Sequence, residues 1–292
     1  MKIAIYGKSL TENYFDFANQ LFEQLLAKNI DFIVYEKFYE FLKPHINFTG
    51  EVATFSCHKD LKEVSYLFSI GGDGTLLETV TLIKDSGIPV LGINTGRLGF
   101  LTTVTTENIN QTIEDVIEKN YKIDVRSLLS LETEGDFFAS DNYALNEITL
   151  QKKDTSSMIT INAYIDGEYL NSYWADGLII STPTGSTAYS LSCNGPIILP
   201  RSGNIIINPI APHNLNVRPL VVPDDSELIF KVEGRTENFL IAMDSRSQSV
   251  PLCSKLVVKK ATHSFNLIRL KQYDFLNTLR SKLMWGMDKR NY

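Results

Sequence analysis

The chain has 292 residues, enough for about two domains, and 43% of them are hydrophobic, which is typical of a globular protein with packed cores. Its 28 basic and 34 acidic residues give a formal net charge of −6, which argues against a general nucleic-acid binder because such proteins need a basic face. No apolar run approaches membrane-spanning length, and residues 1–7 are typical of a strand and a turn, not of a signal peptide. We therefore expect a cytoplasmic protein with no nucleic-acid or membrane partner.

Cysteine and histidine usage agrees with this setting. Cys57, Cys193 and Cys253 are scattered, odd in number and without CxxC spacing, so we interpret them as free thiols in a reducing compartment. The four histidines have no metal-ligand spacing, which argues against a histidine-based zinc site.

The first part of the chain alternates predicted strands with predicted helices. Apolar runs predict strands at residues 3–6, 31–35, 66–70 and 89–93. Helical spacing predicts helices at residues 12–28, 75–86 and 107–120, the last with an apolar face formed by Ile109, Ile113, Val116 and Ile117. Residues 37–58 show no clear pattern, and we interpret them as a mobile surface segment. The alternation predicts a parallel sheet covered by helices, with ligands beyond the carboxyl ends of its strands.

After about residue 124 the pattern changes to short strands separated by turn residues. The predicted strands lie at residues 159–165, 178–180, 220–222, 228–232, 239–243, 255–259 and 265–269. Asp166 and Gly167 predict a hairpin turn of the type I′ kind. These features are typical of a sandwich-like all-β domain.

The predicted elements therefore divide into two domains. An α/β domain with a parallel sheet is predicted at residues 1–124, and a β-rich domain at residues 125–270. The tail, residues 271–292, has helical spacing from about residue 273 to 286 and is expected to pack back on the first domain.

A glycine-rich segment follows the third predicted strand and is a candidate phosphate site. Gly71, Gly72 and Gly74 lack a Cβ, so the backbone there can turn sharply and let a ligand come close. Thr75 and Glu78 fit a capping box, which predicts that a helix begins at Thr75. A strand, a glycine turn and a helix N-terminus together form a phosphate cradle.

Asp73 lies in the middle of this segment. A carboxylate repels a phosphate, so it has a function there only if it takes a proton from an attacking hydroxyl or helps to hold a metal ion. The alternative is an ordinary aspartate in a glycine-rich turn, and on this segment alone both interpretations stay open. A second glycine-rich turn, at residues 94–100, follows the next strand and is expected at an equivalent strand end.

Two polar clusters in the β-rich part are candidates for nucleotide binding. Asn146 offers a donor and an acceptor to an adenine edge, while Glu147 and Asp176 could accept hydrogen bonds from ribose hydroxyls. Residues 181–192 are dense in small hydroxyl side chains that suit sugars and phosphates, and Tyr189 could stack on a base. The alternatives are an exposed turn at Asn146, a hairpin turn at Asp176 and a polar surface loop at residues 181–192.

The order of these motifs resembles that of the NAD kinase family over nearly the whole chain. The resemblance rests on GGDGT at residues 71–75, NTGRLGF at 94–100, Asn-Glu at 146–147, Asp-Gly at 176–177 and TPTGSTAYS at 182–190. The GGDG motif alone is also similar to diacylglycerol-type lipid kinases and phosphofructokinases. The TPTGSTAYS run with a preceding Asn-Glu is far more specific.

This resemblance implies phosphorylation of the adenosine-ribose 2′-hydroxyl of NAD to give NADP. The implied donor is ATP or another phosphoryl donor, used with a divalent ion such as Mg²⁺. It also implies a homo-oligomer, commonly a dimer or tetramer, with a site completed across subunits. A lipid kinase and a non-catalytic NAD-binding sensor remain the alternatives, although the hydroxyl-rich residues 181–192 argue against the apolar acceptor pocket that a lipid kinase needs.

Site residues follow from the same resemblance. Asp73 matches the proton acceptor of the family, and Gly74 lines the same pocket. Asn146 and Glu147 match the pair that contacts adenine and ribose, and Asp176 matches a carboxylate that contacts NAD from a neighbouring subunit. The loop around the adenosine and nicotinamide portions is matched by Thr187, Ala188, Tyr189, Ser190, Leu191 and Ser192.

Two positions depart from the family pattern. Trp174 stands where many members place a basic residue, and Arg246 stands where many have Gln or Asn. Arg246 could instead reach a phosphate, because its guanidinium matches phosphate geometry. No metal ligands can be assigned from the sequence.

Overall fold

The structure is a computed structural model that describes residues 1–48, 50–135, 137–153, 158–252 and 254–285. The chain divides into two compact units. The first consists of Met1–Val125 and the described part of Asn266–Tyr292, and the second of Arg126–Phe265.

The first unit alternates strands and helices. Its elements are β1 (Lys2–Gly7), α1 (Phe15–Ala27), β2 (Asp31–Tyr35), α2 (Glu36–Leu42), β3 (Thr54–Phe55), β4 (Tyr66–Gly71), α3 (Asp73–Ile83), β5 (Val90–Asn94), β6 (Val104–Thr105) and α4 (Ile109–Ile117). The strand β7 (Tyr121–Thr133) begins in this unit and ends in the second.

The second unit is rich in strands. Its elements are β8 (Tyr143–Ala144), β9 (Glu147–Lys152), β10 (Ile159–Ile165), β11 (Glu168–Ala175), β12 (Gly177–Ser181), α5 (Tyr189–Ser192), β13 (Asn204–Ile210), β14 (Leu220–Pro223), β15 (Leu228–Glu233), β16 (Asn238–Met243) and β17 (Arg246–Pro251). The strand β18 (Lys255–Leu270) returns to the first unit, where α6 (Phe275–Leu283) follows.

The first unit is built on a parallel sheet, as predicted. Its order is β5-β4-β1-β2-β3, and each neighbouring pair runs parallel. The central strands are apolar and buried on both faces, which is typical of a sheet covered by helices. Gly71 pairs with Asn94 at the carboxyl ends of β4 and β5. The two glycine-rich turns that follow these strands therefore begin side by side.

The expectation of a mobile surface segment at residues 37–58 was wrong for most of that segment. It contains α2, β3 and a 3₁₀ turn that begins at His58. Phe38 and Leu42 of α2 are fully buried, and Ile46 and Phe55 are nearly so. Residues four apart share a helix face, so Phe38 and Leu42 anchor the segment in the core of the first unit. Residue 49 lies outside the described residues.

The second unit is a sandwich of two antiparallel sheets with a shared core. One sheet has the order β14-β13-β12-β9-β16-β17, and the other contains β11, β10, β15 and the first part of β18. Apolar side chains from both sheets form one cluster, in which Ile148 and Phe230 are fully buried. Asp166 and Gly167 connect β10 to β11 with φ values of 51° and 86°, so the predicted type I′ hairpin is confirmed.

Several strand predictions need correction. The strands predicted at 255–259 and 265–269 are one continuous strand, β18, and the residues between them, 260–264, are exposed or half-buried and so lack the apolar pattern that marks the two ends. The polar strands β11 and β17 were not predicted, since their residues are mostly exposed or half-buried. The predicted face of α4 is also partly wrong, because Ile117 is 40% exposed.

The C-terminal helix α6 is part of the first unit. The Asp274 side chain accepts a hydrogen bond from the Asn277 N–H at 2.7 Å and so caps the start of this helix. The Phe275 ring lies 6.1 Å from the Phe100 ring of the second glycine-rich turn. Among the described residues no helix is both long and apolar enough to cross a membrane.

Candidate active site

The first glycine-rich segment joins β4 to α3. Gly71 has a φ of +150°, and a Cβ at this position would collide with the Thr75 side chain, so the turn requires glycine there. The Cβ positions of Gly72 and Gly74 face open space. Because the first N–H groups of a helix have no intrahelical partner, the start of α3 offers donors to a phosphate at an open surface.

The predicted capping box at Thr75 does not form. The helix α3 begins at Asp73, with Gly72 as its N-cap residue and no side-chain cap. The Glu78 carboxylate is used elsewhere: it accepts a hydrogen bond from the Tyr6 hydroxyl at 2.6 Å and pairs with the Lys8 ammonium at 2.5 Å. Burial and this carboxylate both raise the pKa of Tyr6 above its usual range, which keeps the hydroxyl protonated as the donor.

The Asp73 carboxylate is held by the second glycine-rich turn. Its Oδ1 accepts from the Leu101 N–H at 3.1 Å, the Thr102 N–H at 2.9 Å and the Thr102 hydroxyl at 2.8 Å. Its Oδ2 accepts from the Phe100 N–H at 2.7 Å. Four donors fix the orientation of the carboxylate, while Oδ2 keeps one lone-pair direction for a further donor.

The second glycine-rich turn is itself organised around Asn94 and Gly99. The Asn94 amide donates to the Thr102 hydroxyl at 2.9 Å and to the Arg97 carbonyl at 3.0 Å. The Thr102 hydroxyl therefore accepts from Asn94 and directs its own proton to Asp73. A Cβ on Gly99 would collide with the Asp73 carboxylate, so glycine is required for this close approach.

In the second unit, Asp244 fixes the backbone of the predicted Asn146-Glu147 pair. Its carboxylate accepts from the N–H groups of Leu145 and Asn146 at 2.8 Å each, and of Glu147 at 3.3 Å. Asp244 has a φ of 52° at the β16–β17 turn, a conformation that Asp tolerates better than most residues. Burial raises the pKa of Asp244, whereas these N–H donors and the nearby Arg246 lower it.

Glu147 is a buried acid with unused hydrogen-bonding capacity. Only 8% of the residue is exposed, and its buried Oε2 has no hydrogen-bond partner among the described residues. Burial, reinforced by the nearby Asp244, raises the pKa of Glu147 to about 8, while a hydrogen bond from the Tyr189 N–H opposes the shift. Because an unpaired buried acceptor is costly, this oxygen is suited to receive a ligand hydroxyl.

Residues 181–192 pack against the same pair. Their buried hydroxyls are used within the protein: the Thr182 hydroxyl donates to the Leu145 carbonyl at 2.6 Å and the Ser186 hydroxyl to the Pro183 carbonyl at 2.7 Å. A Cβ on Gly185 would collide with the Asn146 carbonyl, so this turn lies directly on Asn146. The prediction that the hydroxyls serve a ligand therefore overlooked their role in building the turn.

The end of this segment is more open. Ser190 is buried, and the Asn208 side chain donates to its carbonyl at 2.9 Å. The remaining predicted positions, Thr187, Ala188, Tyr189, Leu191 and Ser192, are half-buried or exposed. The structure thus brings Asn146, Glu147 and Tyr189 together and leaves Tyr189 38% exposed.

The other predicted residues of the second unit have partners of their own. Asp176 pairs with the Lys152 ammonium at 2.6 Å. The Trp174 ring lies 4.6 Å from the His213 ring and is about half exposed. The Arg246 guanidinium donates to the carbonyls of Asp141 and Tyr143, in the segment that leads to Asn146.

Metal ligands are not concentrated anywhere in the described part of the chain. No group of three His, Cys, Asp or Glu side chains there has the geometry to hold a metal ion. Cys57 and Cys193 are free thiols, as predicted, whereas Cys253 lies outside the described residues.

Comparison with known proteins covers the whole chain. The family model of the ATP-NAD kinase N-terminal domain matches residues 3–121, and that of the ATP-NAD kinase C-terminal domain matches residues 145–270. A protein named NAD kinase from Flavobacterium psychrophilum is 51% identical over 294 residues, covering 100% of both chains. A second NAD kinase, from Cytophaga hutchinsonii, is 48% identical over 292 residues with the same coverage.

Solved structures share the fold. Yeast NADH kinase complexed with NADH matches with a TM-score of 0.88 at 24% identity, covering 100% of this chain and 90% of that one. An NAD kinase from Archaeoglobus fulgidus in complex with ATP matches with a TM-score of 0.76 at 24% identity, covering 97% and 99%. The predicted fold class, an α/β part followed by a β-sandwich and a terminal helix, is confirmed. The resemblance inferred from the order of the motifs is confirmed as well: the chain belongs to the ATP-NAD kinase family.

Proposed function

We propose that this chain transfers the γ-phosphoryl group of ATP to the 2′-hydroxyl of the adenosine ribose of NAD, giving NADP and ADP. The observation that carries the proposal is the fixed Asp73 carboxylate, whose Oδ2 keeps a lone-pair direction beside an open glycine turn. The relatives named NAD kinase, which span the full chain, support the same reaction and favour neither a lipid kinase nor a non-catalytic sensor.

In this reaction Asp73 acts as the general base. The 2′-oxygen forms a bond to the γ-phosphorus as its proton passes to Asp73 Oδ2, and the bond from the γ-phosphorus to the bridging oxygen breaks, releasing ADP. The four hydrogen bonds to the carboxylate keep it oriented, so little reorganisation is needed at the moment of transfer. Gly71, Gly72, Gly74 and Thr75 form the turn that receives the phosphates of the donor.

Magnesium enters this proposal as part of the donor, MgATP. Mg²⁺ is commonly held by substrate phosphates and waters with only one or two protein carboxylates. That mode fits the described residues, because it needs no protein cluster of three ligands. The ion supplies neutralisation of phosphate charge.

The second unit supplies the NAD-binding residues in our proposal. The unpaired Glu147 oxygen accepts a ribose hydroxyl, the Asn146 amide meets the adenine edge, and the partly exposed Tyr189 ring stacks on a base. We assign Thr187, Ala188, Ser190, Leu191 and Ser192 to the surrounding wall. The first unit, with the phosphate turn, and the second unit thus have separate roles.

The remaining assignments follow the family. We propose a homo-oligomer, a dimer or tetramer, in which Asp176 contacts NAD bound to a neighbouring subunit and exchanges its present partner Lys152 for that ligand. Trp174, about half exposed, belongs to the same surface. A cytoplasmic location agrees with the two free thiols, because cytosolic proteins are kept reduced.

The test is product identification. Purified protein is incubated with NAD and MgATP, NADP is assayed with an NADP-specific dehydrogenase, and 2′-deoxyadenosine-NAD serves as the matched control substrate. We expect NADP from NAD and no phosphorylation of the deoxy analogue. A folded protein that binds NAD but forms no NADP with ATP, other nucleoside triphosphates or polyphosphate would contradict the proposal and leave the sensor. Preferential phosphorylation of dispersed diacylglycerol would instead support a lipid kinase.

A further inference from the structure

We propose that Arg269, assisted by the C-terminal helix α6, is a positioning residue for the Asp73 carboxylate and acts through the peptide between Phe100 and Leu101. This inference rests on the proposed function, in which Asp73 is the general base. Arg269 lies near the end of β18, nearly two hundred positions after Asp73.

Arg269 contacts the backbone carbonyl of Phe100. The Arg269 Nη2 donates to the Phe100 carbonyl oxygen at 2.8 Å. That carbonyl belongs to the same peptide unit as the Leu101 N–H, which donates to Asp73 Oδ1 at 3.1 Å. A cation, a peptide and a carboxylate therefore form a continuous chain of hydrogen bonds. Such chains strengthen each member, because each bond polarises the next.

The guanidinium of Arg269 makes a second contact. Its Nη1 donates to the Thr103 hydroxyl at 3.2 Å, so Arg269 holds both ends of residues 100–103. The three N–H groups that bind Asp73 belong to Phe100, Leu101 and Thr102, which all lie in this segment. A planar fork with several donors is needed for two simultaneous contacts, and a lysine ammonium has no equivalent geometry.

Arg269 is itself anchored. Its Nε lies 3.4 Å from Asp124 Oδ2, and both side chains are nearly buried, at 12% and 11% exposed. A buried charged pair of this kind is rigid, because separation would leave an unpaired charge away from water. Arg269 is therefore a fixed support for the turn and not a mobile surface residue.

Helix α6 adds a second support, at the Phe100 ring. The Phe275 ring lies 6.1 Å from the Phe100 ring, and the Lys282 ammonium lies 4.7 Å from the centre of the Phe100 ring. Leu279, between them along the helix, is nearly buried. Three groups therefore fix Phe100: Asp73 accepts from its N–H, Arg269 donates to its carbonyl, and α6 packs against its ring.

This arrangement predicts a defect in the chemical step. Without Arg269, residues 100–103 lose the two hydrogen bonds that hold them, and the Asp73 carboxylate loses its alignment, while the proposed substrate contacts stay intact. We expect Arg269→Gln to lower kcat about 10- to 100-fold, since small misplacements of a catalytic group have effects of this order. The KM values for NAD and MgATP should change by less than about threefold, because Arg269 is not proposed to contact either substrate in the ground state.

The experiment compares Arg269→Gln with Arg280→Gln, each alone and in the Asp73→Asn background. Arg280 is a matched control, because it lies on α6, is exposed and hydrogen-bonds only to the Asn277 side chain in the described structure. Arg280→Gln should leave kcat unchanged. If Arg269 acts through Asp73, its substitution should lower the residual rate of Asp73→Asn by less than about twofold, because residues that act as a unit are not additive. The inference would be overturned if Arg269→Gln lowered the rate of Asp73→Asn by the full 10- to 100-fold. It would also be overturned if the KM values rose as much as kcat fell.

A second readout does not depend on activity. Hydrogen exchange at the amides of residues 100–102 should accelerate in Arg269→Gln and stay unchanged in Arg280→Gln. If wild type makes no NADP, the proposed function fails, and the exchange data still show whether Arg269 holds the turn. If wild type is active and Arg269→Gln has normal kcat or normal exchange, this inference alone fails. If Arg269→Gln does not fold, Phe275→Leu is tested in its place. We expect it to lower kcat by a smaller factor than predicted for Arg269→Gln. An unchanged kcat in Phe275→Leu would contradict the role of α6.

Discussion

The two units each hold a carboxylate to which we assign a function in our proposal, and the two carboxylates differ in how their hydrogen-bonding capacity is satisfied. Asp73 in the first unit accepts four hydrogen bonds from residues 100–102. Glu147 in the second unit is nearly buried, yet its Oε2 has no partner among the described residues. A satisfied carboxylate has a fixed direction, which suits proton transfer at one position. An unsatisfied buried acceptor is costly until a ligand supplies the donor, which suits binding.

Among the residues that our proposal does not assign to substrate binding or catalysis, the largest effect is expected at Gly99. In Gly99→Ala the new methyl group would occupy the place of the Asp73 carboxylate and displace it. We expect kcat to fall by about 100-fold or more, with little change in the KM for NAD, because a 1 Å misplacement of a catalytic group has this order of effect. Steady-state rates of NADP formation measure both constants.

Gly96→Ala is the matched control for this variant. Gly96 lies in the same turn, and a Cβ there meets no atom within 4 Å. Near-normal activity is expected. Equal losses in the two alanine variants would mean that the turn is merely sensitive to substitution, and would contradict a specific role for the approach of Asp73.

The next effect concerns NAD binding at Glu147. Above pH 8, where Glu147 is ionised, Glu147→Gln removes a charged acceptor from the ribose, so we expect the KM for NAD to rise about 10- to 100-fold, as for loss of a hydrogen bond to a charged group. The KM for MgATP should change little. Glu168→Gln, at an exposed position of the β10–β11 hairpin, serves as the control. Unchanged NAD affinity in Glu147→Gln would remove this residue from the binding site.

The same residue makes binding and stability respond to pH in opposite directions. The pKa of Glu147 is raised to about 8 in the folded protein from its ordinary value of 4.5, so the folded state binds this proton more tightly than the unfolded state. The contribution to stability is therefore full below pH 4.5 and is lost as pH rises towards 8, by at most about 1.4 kcal/mol per pH unit.

In our proposal NAD binding uses the ionised carboxylate of Glu147, so the affinity for NAD should improve over the same pH interval. We expect the free energy of unfolding of Glu147→Gln, without NAD, to exceed that of wild type increasingly as pH rises from 6 to 8. Denaturant unfolding at the two pH values measures this difference. A difference that does not change with pH would show that Glu147 ionises normally in the folded protein.

The smallest effect is expected at Arg246. Its guanidinium binds the carbonyls of Asp141 and Tyr143, so Arg246→Gln should loosen the segment before Asn146 and raise the KM for NAD only about threefold, with kcat unchanged. Arg235→Gln, an exposed arginine of the same unit, is the control. A rise above about 30-fold that depends strongly on salt would instead indicate direct contact with a phosphate, the alternative that the sequence left open.

The comparison of the two units also shows where sequence reasoning succeeds. The strands β1, β2, β4 and β5 and the first glycine turn are local patterns of apolar runs and glycines, and these were predicted nearly to their ends, whereas the short strands β3 and β6 were not predicted. The start of α3 was placed at Thr75 and not at Asp73, because Glu78 fits a capping box but bonds instead to Tyr6 and Lys8, far away along the chain. A local motif cannot reveal such a competing partner.

The residues that support the two carboxylates were missed for the same reason. Gly99 and Thr102 lie more than twenty positions from Asp73, and Asp244 lies nearly one hundred positions from Asn146. Nothing near Asp244 in the sequence marks it as an acceptor for backbone N–H groups. Gly99, the second glycine of NTGRLGF, was the one available signal, since a glycine without a Cβ lets another group approach the backbone closely.

The most direct test of the account is single-turnover NADP formation by Asp73→Asn beside wild type, with saturating NAD and MgATP. The amide keeps the size of the side chain but cannot accept the 2′-hydroxyl proton in the same way. We predict a chemical step slower by about two to four orders of magnitude, with NAD and ATP still bound. A chemical step of similar rate in both proteins would contradict the assignment of Asp73 as the general base.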